Sequence, residues 1–220
     1  MSSTATTRAR RVLLAATAAV VLPLGMTACS SDDGGSDKKS DKKSEQSQGS
    51  HKEKGEKQDT AMDTFGDACK TVPKSGKGSF KGMAQDPVAT AASNNPQLST
   101  LVGAVKKAGL VDTLNSAKNI TVFAPTNDAF KKIPKADLDK VMSDKKMLKK
   151  VLTYHVVGEP LDKTKLAGGS YPTLEKQKLT TKGSGDAYKV DDSANVACGN
   201  VKTSNATVHI IDSVLMPPKK

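Results

Sequence analysis

Residues 30–60 contain no aliphatic side chain and no Phe, Tyr or Trp; the segment is made of Ser, Asp, Lys, Gly, Glu and Gln, with one threonine and one histidine, His51. Its seven lysines (38, 39, 42, 43, 52, 54, 57) face eight acids (32, 33, 37, 41, 45, 53, 56, 59), which makes it a nearly neutral polyampholyte. Such a stretch cannot bury enough apolar surface to offset the entropy of ordering it, and it is expected to behave as a tether. Its reach is roughly 30 Å as a flexible coil and about 100 Å when stretched. A core must therefore form downstream of Thr60, where the length supports one domain.

Upstream of the tether, Arg8, Arg10 and Arg11 precede an uncharged apolar run, 12–24, and then Gly25-Met26-Thr27-Ala28-Cys29. This is the pattern of a secretion signal. The run is shorter than the roughly 20 residues a membrane-spanning helix needs. The tetrapeptide MTAC resembles a bacterial lipobox, in which the Cys29 thiol receives a diacylglyceryl group and becomes the first mature residue. The plainer alternative is a secreted chain with one unmodified cysteine. At about 0.8 kcal/mol per buried methylene, one acyl chain anchors marginally and two hold firmly. Arg10-Arg11-Val12-Leu13-Leu14 also fits a minimal twin-arginine export pattern, so the export route is open.

The formal charge of +11 includes the three arginines of the signal; from residue 61 onward 24 lysines face 15 acids, about +9. Eight of those lysines lie between Lys131 and Lys150. A nucleic-acid partner is not expected, because the chain is exported, has few aromatics for stacking, and lacks arginine beyond position 11. The lysines are expected to form a solvated helix face, with weak attraction to anionic wall polymers or lipid headgroups as the alternative. Besides Cys29 the cysteines are Cys69 and Cys198. In an exported protein two such cysteines are expected to pair, closing a loop whose chain-entropy contribution is at most about 4–5 kcal/mol. A metal site or reactive thiol is the alternative, but no CxxC or HxxxC spacing supports it.

Along the domain, Asp86-Pro87 before VATAASNN predicts a short helix with Asp86 as N-cap and proline at its first position. Residues 97–108 place Leu98, Leu101, Val102 and Val105 on one side, and Gly109 stops that helix. Residues 120–124 read as a buried strand ended by Pro125, with Thr126 or Asn127 capping a short helix that Pro134 breaks. Two more helices are expected over 137–142 and 144–154, the second with Met147, Leu148, Val151 and Leu152 as its apolar stripe. Thereafter the chain breaks into short β-prone pieces at 155–157, 171–174, 178–181, 187–190, 195–201 and 207–215. Helices first and strands afterwards imply an α+β domain with a largely antiparallel sheet.

Catalytic patterns are missing from the sequence. His51, His155 and His209 share no metal-ligand spacing, Gly183-Ser184-Gly185 sits in a polar turn without the context of a nucleophile elbow, and no P-loop or GxGxxG occurs. Asp191-Asp192 resembles half of a carboxylate pair, but neighbours in a strand would face opposite ways. No enzyme activity, cofactor or metal is expected.

TVFAPTNDAF (121–130), YHVV (154–157) and ATVHIIDSVLMPP (206–218) resemble the three landmark motifs of the fasciclin, or FAS1, family, in the family's order and spacing. The similarity reaches upstream through QDPVATAASNNPQLSTLVGAV and LVDTLN, and is strongest to the single-domain fasciclin antigens of mycobacteria, a secreted one and a lipoprotein. It implies an α+β fold, a β-sandwich-like wedge of mainly antiparallel strands with a layer of short helices in the N-terminal half. The expected organisation is a signal peptide at 1–28, lipidated Cys29 plus tether at 29–60, a disulfide-clamped segment at 61–83 and a fasciclin domain at 84–218. The resemblance also implies a non-catalytic adhesion or interaction role at the extracytoplasmic face of the membrane. Its partner would be a surface protein or glycan of unknown identity, and the domain would be monomeric. The alternative is an envelope structural or sensory component working with a membrane regulator. In animal members the tyrosine-histidine motif is implicated in integrin-mediated adhesion, which makes Tyr154 and His155 the candidate interaction motif; the competing reading is that both pack at a helix-to-strand corner. The sequons at Asn119 and Asn205 are taken as coincidental.

The anchor is testable directly. Cys29→Ala should move the protein from the membrane fraction to the soluble one in detergent phase partitioning, and unchanged partitioning would remove the lipobox assignment.

Overall fold

The computed structural model describes residues 63–218. The signal peptide, Cys29, the tether and His51 lie outside the described residues. Among the described residues no helix is long and apolar enough to cross a membrane.

After a 3-10 turn at Asp67–Thr71, the first half is helical: α1 (Phe80–Met83), α2 (Val88–Ser93), a 3-10 turn at Pro96–Leu98, α3 (Ser99–Ala108) and α4 (Val111–Ser116). Strand β1 (Ile120–Pro125) follows, then α5 (Asn127–Lys131), α6 (Lys135–Ser143) and α7 (Lys145–Tyr154). The remainder is β2 (Val156–Val157), α8 (Lys163–Leu166), β3 (Gly168–Pro172), β4 (Lys178–Ser184), β5 (Ala187–Val190), β6 (Ala194–Lys202) and β7 (Ala206–Ile211). Helices α1, α4 and α8 were not expected from periodicity, since pieces of four to six residues are too short to show it.

All seven strands join one sheet in the order β2-β1-β7-β6-β5-β4-β3. The expected antiparallel pairing holds throughout except between β1 and β7, which run parallel in register from Ile120↔Ala206 to Pro125↔Ile211. The sheet curls until its edges meet: Val157 bridges to Thr173, and the Leu174 N–H donates to the Val156 carbonyl at 2.8 Å.

Every residue of β1 and of β7 is buried. Side chains of successive strand residues point to opposite faces, so the two strands feed two cores. Ile120, Val122, Ala124, Val208 and Ile210 face the helices and pack with Leu101, Val105, Leu114 and Leu152. Phe123 and Ile211 point into the folded sheet with Val157, Leu161, Leu179 and Val190. In α3, Leu101 and Val105 are buried and Gly109 closes the helix at φ 68°, a left-handed conformation suited to glycine. In α7 the buried stripe is Leu148, Val151, Leu152 and Tyr154; Met147, expected among them, is 43% exposed.

Several local expectations change. Asp86 does not cap α2: the helix begins after Pro87, and its free amides at Val88 and Ala89 donate to Asn205 Oδ1 (2.8 Å) and Asn115 Oδ1 (3.0 Å). Strand β7 stops at Ile211 instead of running to Leu215, because the Leu215 amide is drawn off to His155 Nε2. Asp191 and Asp192 are turn residues, both with positive φ (48° and 56°), at the tight reversal between β5 and β6.

Cys69 and Cys198 form a disulfide with Cα atoms 4.8 Å apart, joining the first 3-10 turn to β6. Beside it Phe65 pairs with Gly199. A Cβ at Gly199 would overlap the Phe65 ring, so the approach requires glycine there. Phe123 is fully buried, with its ring stacked 5.4 Å from that of His209. Phe123→Ala should cost about 3–5 kcal/mol, read as a lower urea midpoint with an unchanged slope.

Candidate functional site

Tyr154 and His155 stand where α7 ends and β2 begins, and both are 2% exposed. The Tyr154 hydroxyl donates to Asp191 Oδ2 at 2.7 Å and lies 3.2 Å from the Lys178 carbonyl. The other oxygen of Asp191 accepts from the Thr180 amide (2.8 Å) and hydroxyl (3.2 Å). Burial, and then the carboxylate that holds its proton, push the Tyr154 pKa upward. The phenol is thus a neutral strut from the helix layer to the β5–β6 turn.

His155 Nδ1–H donates to the Val151 carbonyl at 2.8 Å, and Nε2 accepts the Leu215 amide at 3.0 Å, which fixes a neutral ring. Its own carbonyl accepts the Phe123 amide at 2.9 Å. One residue therefore ties α7, β1 and the C-terminal segment together. The two side chains that the resemblance names as the interaction motif are thus buried, with their polar atoms taken up by internal hydrogen bonds.

His209, on β7, repeats the device. Its Nδ1 accepts the Asn200 amide at 3.1 Å, and Nε2–H donates to the Leu161 carbonyl at 2.9 Å. The Leu161 amide in turn donates to the Thr121 hydroxyl (2.7 Å), which donates to the Glu159 carbonyl (2.8 Å). Burial holds the pKa of each imidazole down, to about 4.

Two asparagines that periodicity could not single out do comparable work. Asn205 accepts from the Val88 amide and donates to the carbonyls of Leu114 (2.8 Å) and Ala117 (2.7 Å), so this sequon residue is half-buried and committed to α2 and α4. Asn127 accepts the Thr100 amide and donates to the Pro96 carbonyl, both at 2.9 Å, fixing the start of α3. Thr126 caps α5 through the Ala129 amide, and Asp128 pairs with Lys131. The signal that could have revealed Asn205 and Asn127 is their position beside a strand, within reach of unsatisfied helix-end amides.

The outer surface offers a different kind of place. A groove of about 620 Å³ runs between α5, α6, α7 and the C-terminal segment. Met147 and Met216 line it, and they are 43% and 46% exposed. Lys132 and Lys150 border it, paired with Asp212 and Glu175. Lys145, Lys146 and Lys149, on the exposed side of α7, form no ion pair among the described residues. Nor do three or more His, Cys, Asp or Glu side chains gather into a metal site among the described residues.

A mixed sheet curled nearly closed under a layer of short helices, with its polar interior committed to backbone groups, is the FAS1 fold. A solved FAS1 domain pair from the insect cell adhesion molecule Fasciclin I superposes with a TM-score of 0.51 at 19% identity, over 62% of this chain and 52% of that one. The chain thus spans about half the length of that structure, and the likeness shows the fold alone. The profile of the Fasciclin domain matches residues 96–217, and the chain belongs to the fasciclin family. It is 47% identical over 168 residues to the cell surface glycolipoprotein MPB83 of Mycobacterium bovis, covering 73% of this chain and 75% of the relative. Over 166 residues it is 45% identical to the immunogenic protein MPT70 of Mycobacterium tuberculosis, covering 72% and 84%. Protein sll1483 of Synechocystis is 40% identical over 129 residues, covering 58% and 71%.

The buried imidazoles make stability depend on pH with a definite sign. Each has a folded pKa near 4 against 6.5 for the free side chain, so as pH falls below that value the unfolded chain takes up protons the native state refuses. Stability fully present above about pH 6.5 is lost toward pH 4, by on the order of 3 kcal/mol per histidine at the acid end. Urea midpoints should be level from about pH 8 to 7 and drop steeply below 6.5. A midpoint unchanged down to about pH 5 would contradict neutral buried rings.

Proposed function

We propose that this is a lipid-anchored cell-surface protein that presents one fasciclin domain for adhesion to a protein partner, without catalysis. The observation that carries this reading is the groove between α6, α7 and the C-terminal segment. Two of the large apolar side chains left exposed, Met147 and Met216, lie on it, while the residues the family resemblance pointed to are buried. Methionine is flexible and polarisable, which suits it to receive a partner's apolar side chain. The lysines of α7 add a positive field that favours an acidic flank on that partner and speeds encounter.

Anchoring is supported by the MTAC sequence at Cys29 and by the tether that follows, which together would hold the domain tens of ångströms from the bilayer. The surface location is supported by relatives named as cell surface glycolipoproteins. A non-catalytic role is supported by the spent state of the interior: both ring nitrogens of His155 and of His209 are engaged by backbone groups.

A photo-crosslinking residue placed at position 147 in intact cells tests the assignment, with the same probe at Lys189 on β5 as the control. Position 147 should give a discrete protein adduct that is lost with Met216→Asp. Adducts that resist protease digestion would point to a glycan, and equal yields from both positions would remove the groove from consideration.

A further inference from the structure

The layer between the helices and the sheet is not filled. Helix α2 has the sequence VATAAS, and its Ala89, Ala91 and Ala92 face the apolar sheet side chains Val122 and Val208 across a cavity of about 190 Å³. Protein interiors are normally packed to crystal density with few voids larger than a water molecule. An apolar cavity of about 150 Å³ stays dry and admits benzene. Alanine at these positions leaves room that leucine would fill. The rim carries Thr90, Ser93 and Lys106, all exposed, so the space lies close to solvent between α2 and α3.

The wall contains one polar atom without a partner. Asn95 is 2% exposed; its Oδ1 accepts the Gln97 amide at 3.0 Å as the cap of the 3-10 turn, and that bond fixes which end of the amide is nitrogen. The Nδ2 group then has no acceptor. Leaving such a donor buried and unpaired is costly. Of the other polar side chains, His155 is occupied by Val151 and Leu215, Asn94 by Asp86, Ser93 by the Ala89 carbonyl, Thr203 by the Ala206 carbonyl and Thr90 by Asn115, while Lys106 is exposed on the rim.

We propose that this cavity is a binding site for a short acyl group, whose alkyl part fills the space under α2 and whose carbonyl oxygen accepts a hydrogen bond from Asn95 Nδ2. The volume fits a chain of roughly six carbons or a single ring. The site is separate from the surface groove and independent of any partner bound there.

The test uses the full chain carrying Cys29→Ser, so that no attached lipid competes, with methyl hexanoate as the acyl probe and benzene as a probe lacking an acceptor. Methyl hexanoate should shift the Asn95 side-chain amide resonances and raise Tm by roughly 5–10 °C at a hundredfold excess over Kd. Ala91→Leu fills the space from α2, and Val105→Phe fills it from α3 should the first variant not fold; either should abolish both effects. Asn95→Ser keeps a capping hydroxyl but removes the amide, and should weaken the ester about tenfold while leaving benzene unchanged. No response to either probe, or a response that survives cavity filling, overturns the site. Unchanged ester affinity in Asn95→Ser overturns the role of Asn95.

Discussion

The parallel pairing of β1 with β7 is the constraint on which the rest of this domain depends. Six consecutive register pairs place two strands from opposite ends of the fold side by side, and both are buried on both faces. Two strands in that position must supply two cores, one to the helices and one to the interior of the curled sheet. The alternation Ile120, Val122, Ala124 against Phe123 does this, and Val208, Ile210 against His209, Ile211 repeats it. A parallel neighbour also needs a long crossover, and everything between Thr126 and Asn205 is that crossover: helices α5 to α8 and the meander from β2 to β6.

Burying that pair brings polar groups inside, and the fold satisfies them by giving each one backbone work. Thr121 and His209 hold the amide and carbonyl of Leu161; His155 holds the ends of α7 and of the C-terminal segment; Tyr154 reaches Asp191. Apart from the local His155–Val151 bond, each crosses between elements far apart in sequence. These side chains therefore specify which elements meet, and a neutral imidazole suits the task because it offers one donor and one acceptor on opposite sides of a rigid ring. The same commitment accounts for the burial of the tyrosine-histidine pair, whose polar atoms are taken up by internal hydrogen bonds.

The two sites proposed for function lie where the packing is incomplete. On the outside this is the methionine-lined groove beside the lysine-bearing face of α7; on the inside it is the gap beneath the alanines of α2. The two differ in chemistry as well as in place. The groove is open, lined by exposed methionines and bordered by lysines, as suits the proposed protein partner, whereas the cavity is small and apolar with one unpartnered donor in its wall.

Much of this was written in the sequence. The apolar stripe of α7 and the strand and cap at 119–130 each rest on side chains within a few residues of one another, where local periodicity and capping chemistry act. The three landmark motifs carried the family for the same reason, since they mark the strands and the corner that the architecture cannot vary. What local pattern could not carry were the short helices α1, α4 and α8, the caps supplied to α2 by Asn115 and Asn205, the parallel direction of β1 and β7, and the burial of Tyr154 and His155. The helices are too short to show periodicity; the others are decided by contacts between residues distant in the chain. The sequence by itself determined which segments are apolar and which can start or stop an element. Only the tertiary structure decided which polar side chains are consumed in holding it together, because a hydrogen bond across 60 or 117 residues exists only once β1 and β7 have paired.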